Sequence, residues 1–127
     1  MAANPEQLRV FQKAGHLGAA LYEVSDGIPL DEPYCLQSRI RQTSTNIPVL
    51  IVKGYGQKKK TAFRVEIRAA LKEASELRYL LGLAHRMTYL GDDLYRSLDQ
   101  ECSDLVGTLH EFLMAPDEEP LLELGAD

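Results

Sequence analysis

Three lysines in a row, Lys58, Lys59 and Lys60, follow closely on Gly54-Tyr55-Gly56. Arg64 and Arg68 come next, spaced so that a helix starting near Lys59 or Lys60 carries both on one face. A helix dipole disfavours exposed cations at its start by about 0.3–1 kcal/mol each. A chain that keeps three of them there implies a use for the charge. Lysines beside the open N–H groups of a helix start attract phosphate, and Tyr55 offers a ring on which a base can stack. With Arg39, Arg41 and Lys53 earlier in the chain, the set reads as a surface for the phosphate backbone of RNA or DNA. Such binding has no base-specific readout and weakens steeply with salt. The plainer reading is a solvated lysine cluster, or cations neutralised by acids across helix contacts.

Catalytic and metal chemistry find no matching pattern. His16, His85 and His110 fall on three different predicted helices, with no HxxxH, ExxH or Cys/His spacing. Glu73 and Glu76 sit one turn apart but lack the Glu-x-x-His pairs of di-iron bundles. Gly54-Tyr55-Gly56 lacks the final glycine of a dinucleotide loop. No catalytic residue, metal or cofactor is predicted, so the chain reads as a non-enzymatic protein.

Charge is unevenly distributed. Between Leu36 and Leu90 five Lys and six Arg face three Glu, a formal +8 in a chain whose net charge is −5. A basic surface is therefore compatible with an acidic whole. The two cysteines, Cys35 and Cys102, lack metal-ligand spacing and read as free thiols of a cytoplasmic protein, with a disulfide as the alternative. The N-terminus lacks a basic start followed by an apolar core, so no signal peptide is predicted. The longest apolar stretch, Ile47–Val52, is far short of the ~18 residues of a membrane span.

These residues need positioning, and the apolar pattern supplies helices for it. Val10, Phe11, Ala14, Leu17, Gly18, Leu21 and Tyr22 recur at three and four, predicting a first helix from about Glu6 to Ser25. Gly15 and Gly18 are expected to allow a close helix crossing. Asp31-Glu32-Pro33 signals the second helix, with Asp31 as N-cap. Its stripe is Leu36, Ile40, Ile47, Ile51 and Gly54, with Thr43 and Ser44 between. Pro48 lies inside it, predicting a kink near Ser44–Pro48 in which Thr43, Thr45 and Asn46 help satisfy freed backbone groups. Beyond the proline the segment is apolar all round, which suggests a subunit interface built from Ile47, Val49, Leu50, Val52 and Tyr55. Gln37, Arg41, Ser44 and Asn46 either hydrogen-bond across that interface or form an ordinary polar face.

Gly54 and Gly56 are expected to supply a sharp turn. A third helix from Lys59 or Lys60 to about Met87 carries Phe63, Ile67, Ala70, Leu71, Ala74, Leu77, Leu81 and Ala84 inward. A fourth, opened by Gly91 with Asp92 and Asp93, carries Leu94, Leu98, Cys102, Leu105, Leu109 and Phe112 and stops at Ala115-Pro116. The expected fold is all-α, an up-down-up-down four-helix bundle over residues 6–115, followed by an acidic tail at 116–127.

The order Val10-Phe11-Gln12-Lys13-Ala14, Leu36-x-x-Arg39-Ile40-Arg41, Ile47-Pro48, Gly54-Tyr55-Gly56, Phe63, Ala70-Leu71, Glu76-Leu77 and Tyr89-Leu90 resembles a known family. It is that of the four-helix-bundle proteins encoded in intervening sequences of bacterial 23S ribosomal RNA genes. The resemblance covers roughly Leu8 to Leu113. It implies a ring-like homopentamer related to the accessory protein of diversity-generating retroelements, which binds nucleic acid and a reverse transcriptase. The chain departs from the family at Val49 and Leu50, at Val52-Lys53 and at Lys59, making the end of the second helix stickier and the turn more basic. The reading is a self-associating bundle that contacts nucleic acid through a basic surface. The competing reading is an adaptor that docks on a reverse transcriptase or another protein.

Overall fold

The computed structural model describes residues 5–114, and the predicted acidic tail lies outside them. Among the described residues the regular structure is helical: α1 (Pro5–Val24), α2 (Leu36–Tyr55), α3 (Lys60–Arg86) and α4 (Asp92–Met114), with a 3-10 turn at Ser25–Gly27. Each helix packs on the next, and α4 returns to α1. The core is built from the predicted stripes: Val10, Ala14, Leu17 and Leu21 meet Ile40, Ile47 and Ile51, then Phe63 through Ala84, then Leu98, Cys102, Leu105 and Leu109. Burial of such side chains at roughly 1.5–3 kcal/mol each is what holds the helices together. Tyr22 and Leu94 are exceptions, both exposed, Leu94 one turn before the buried run of α4 begins.

One end of the molecule gathers Gln7, Tyr55, Phe63 and Phe112. The Tyr55 hydroxyl donates to the Gln7 carbonyl at 2.6 Å, and the Phe63 ring lies 6.2 Å from Tyr55 and 6.3 Å from Phe112. Ser25, Gln37 and Arg41 meet far from it, where Gln37 Nε2 donates to the carbonyls of Ser25 and Ile28 at 3.0 and 3.1 Å.

α2 runs unbroken through Pro48. Proline has no N–H to offer the carbonyl of Ser44 four residues back. Gly18 of α1 lies against that carbonyl: a Cβ at Gly18 would stand 3.1 Å from the Ser44 oxygen. The missing side chain thus lets α1 close on the point where α2 lacks a hydrogen bond. Gly15 has no such role, since a Cβ there meets nothing within 4 Å. The nearby hydroxyls go elsewhere than expected. Ser44 and Thr45 both donate to the Arg41 carbonyl, at 3.1 and 2.6 Å, and not to the carbonyl that Pro48 leaves open.

Three local expectations need correction. α2 starts at Leu36, later than the Asp31 signal implied, because Cys35 takes a left-handed conformation (φ 57°). The capping carboxylate is that of buried Glu32, which accepts from the N–H of Tyr34 at 2.9 Å and of Leu36 at 2.8 Å. Gly54 and Gly56 do not make the sharp turn by unusual torsions. Gly54 is helical and buried, and a Cβ on it would sit 3.4 Å from Glu66 Cβ and Ile67 Cδ1, so it brings α2 close to α3. Gly56, at φ −82°, simply ends the helix. The left-handed residue that closes α3 is Thr88 (φ 67°), where Tyr89 N–H reaches the Ala84 carbonyl and Thr88 N–H the His85 carbonyl. That pair of bonds is the usual signature of a glycine stop, here made by a β-branched residue.

Candidate nucleic-acid interface

The turn from α2 to α3 is tight. Gln57 N–H bonds the Gly54 carbonyl at 3.0 Å, and its side chain caps the Lys53 carbonyl at 3.0 Å. Lys59 is extended (φ −109°) and α3 begins at Lys60, with no acidic residue in its first turn. Lys58 and Lys59 are exposed there, and among the described residues neither makes an ion pair. Tyr55 is turned inward, its hydroxyl on Gln7 and its ring stacked with Phe63.

The eight predicted cations do not form one patch. Lys53, Lys58, Lys59, Lys60 and Arg64 cluster around the turn. Arg39 and Arg41 lie roughly 20 Å or more away along α2, at 1.5 Å per residue. Arg41 is held within the chain: its Nε donates to Ser25 Oγ at 2.7 Å, its other nitrogen pairs with Asp26, and its guanidinium lies 4.3 Å over the Tyr22 ring. Arg39 pairs with Glu76 at 3.6 Å and Lys53 with Glu66 at 4.0 Å. Lys60 and Arg64 are partly buried and have partners, whereas Arg68 is exposed and makes no ion pair among the described residues.

The acids of α3 explain this sorting. Glu66 faces Lys53, Glu73 accepts from Asn46 Nδ2 at 3.1 Å, and Glu76 faces Arg39. All three carboxylates turn toward α2, and the cations left on the outside of α3 have no acid of their own helix to meet.

The residues expected at a subunit interface divide similarly. Ile47 is only 1% exposed and belongs to the core of its own chain, as does Ile51. Leu50 and Tyr55 are partly buried against that core. Val49 and Val52 stay 56% and 49% exposed. Gln37, Arg41, Ser44 and Asn46 all find hydrogen-bond partners within the chain.

At the far end of α3 lies a cleft that sequence reasoning missed, of about 600 Å³, lined by Arg78, Tyr79, Gly82, Leu83, His85, Arg86 and Tyr95. His85 and Tyr95 stack at 4.3 Å, and His85 Nε2 is 2.7 Å from Asp92 Oδ1. That hydrogen bond holds the Asp92 carboxyl below its ordinary value. Arg78 makes a two-armed contact with Asp99 at 3.0 and 3.1 Å, which raises its own affinity for its proton. The signal available in the sequence was the outward register of α3, in which Arg68, Lys72, Tyr79 and Arg86 recur at intervals of four and seven.

The described residues hold no group of three or more His, Cys, Asp or Glu placed to bind a metal, and no helix among them is long and apolar enough to cross a membrane. The family described as 23S rRNA-intervening sequence protein matches residues 6–111, an interval that ends within α4. The crystal structure of a protein with unknown function from the S23 ribosomal protein family of Bacteroides thetaiotaomicron is 19% identical. It aligns over 87% of this chain and 99% of that one with a TM-score of 0.80, a likeness of fold. No curated protein matches the chain.

Proposed function

Because this chain belongs to the 23S rRNA-intervening sequence protein family, we propose that it is a non-enzymatic, cytoplasmic, up-down-up-down four-helix bundle that assembles into a homopentameric ring and binds RNA or DNA non-specifically. The α2–α3 turn is the point of contact. The reading is carried by one observation: Lys58, Lys59 and Arg68 stand exposed without ion pairs among the described residues, while the acids of α3 all face α2. Supporting the topology, the end of α2 meets the start of α1 and of α3 through Tyr55. Pro48 supplies a cause for a bend in α2, and exposed Val49 and Val52 supply apolar surface for self-association.

The salt dependence of binding tests it. Non-specific phosphate binding releases counterions, so affinity for RNA and DNA falls steeply between about 50 and 200 mM salt. The double variant Lys58→Ala/Lys59→Ala should bind more weakly whatever the sequence of the strand, with a salt slope shallower by about one for each phosphate no longer neutralised. Absence of any binding at low salt eliminates this function. The second reading, an adaptor docking on a reverse transcriptase or another protein, is favoured by the same exposed Val49 and Val52 and would then take its place.

A further inference from the structure

An α-helix turns 100° per residue, so Arg68, Lys72, Ser75, Tyr79 and Arg86 fall within a sector about 60° wide and about 27 Å long on α3. All five are exposed, Tyr79 to 69%. Arg68, Lys72 and Arg86 make no ion pair among the described residues. No carboxylate of α3 shares the sector, since Glu66, Glu73 and Glu76 are turned to α2. On the α4 side, Asp99 is engaged by Arg78, Asp92 by His85 and Asp93 by Arg96. The stripe therefore ends at the cleft where Tyr79 stands among Arg78, His85 and Arg86.

Resting on the nucleic-acid reading above, we infer that this outer face of α3 is a track for single-stranded nucleic acid, with a base stacked on Tyr79 and phosphates on Arg68, Lys72 and Arg86. Charge complementarity selects a polyanion. The exposed ring among cations selects an unpaired strand, because a duplex hides the faces of its bases and a single strand offers them. The turn lysines lie at the opposite end of α3, so they and Tyr79 report on separate parts of the bound strand.

Fluorescence anisotropy with labelled oligo(U), and with the same strand annealed to oligo(A), tests this. Tyr79→Ala should weaken single-strand binding roughly tenfold and leave duplex binding within about twofold, while Tyr79→Phe retains wild-type affinity for both. Arg68→Gln/Lys72→Gln/Arg86→Gln should weaken both probes and reduce the salt slope. If wild-type protein binds and Lys58→Ala/Lys59→Ala weakens it, but neither set of α3 variants does, the track is overturned while the turn stands. If wild-type protein binds neither probe at low salt, the nucleic-acid reading itself fails. Sedimentation of the triple variant gives the remaining check. A loss of assembly with unchanged affinity assigns the stripe to a second copy of the chain, whose α4 exposes Asp93, Glu101, Asp104 and Glu111, and overturns the track.

Discussion

Cys102 is buried on α4 beside Asp99, and chiefly that burial pushes its thiol up to about 12 from an ordinary 9.0. Only the thiolate attacks an alkylating agent, so burial leaves far less of the reactive species at mildly alkaline pH. Cys35 sits exposed in the left-handed turn before α2. Iodoacetamide followed by mass spectrometry should label Cys35 in the native protein and Cys102 only after denaturation. Rapid native labelling of Cys102 would contradict the packing of α4. The sequence already placed Cys102 on the inward stripe of the fourth helix, and the structure buries it there while Cys35 stays exposed.

At the level of the helix, Gly15 and Gly18 make the sharpest comparison. They lie one turn apart on α1 and read alike by spacing. Gly15 borders open space, so Gly15→Ala should stabilise the protein by about 0.5–1 kcal/mol through helix propensity alone. Gly18→Ala gains the same propensity and presses a methyl against the Ser44 carbonyl. Backbone cannot move aside as a flexible side chain does, so this variant should be about 1–3 kcal/mol less stable than Gly15→Ala. Urea titration of the two proteins measures the difference, and equal midpoints would mean α1 does not rest on α2 at this point. The helices themselves were legible in advance, to within a residue or two at most ends. The start of α2 was not, because its cap is a carboxylate four residues upstream, reached through a turn that propensity does not encode.

At the scale of the whole molecule, the proposed assembly turns on the apolar surface that the end of α2 leaves exposed. Ile47 is used inside the subunit, and Leu50 is partly so, which leaves Val49 and Val52 as the exposed apolar residues of that segment. Val49→Asp/Val52→Asp should reduce the proposed assembly to single subunits in sedimentation velocity, since it places charges in a surface that must be desolvated. Because both sites are exposed, stability of the subunit should change by no more than about 0.5 kcal/mol. An intact assembly in that variant would move the interface off this face. From the sequence alone came the four helices, their inward stripes and the excess of cations in the middle of the chain. Each follows from the period of residues near one another, which a helix converts directly into a face. Only the tertiary structure decided which cations are free: Arg39, Arg41 and Lys53 have partners on other elements, and Lys58, Lys59, Arg68, Lys72 and Arg86 make no ion pair among the described residues. The physical reason is that a side chain's counter-ion is chosen by the helix packed against it, and that neighbour comes from a distant part of the chain.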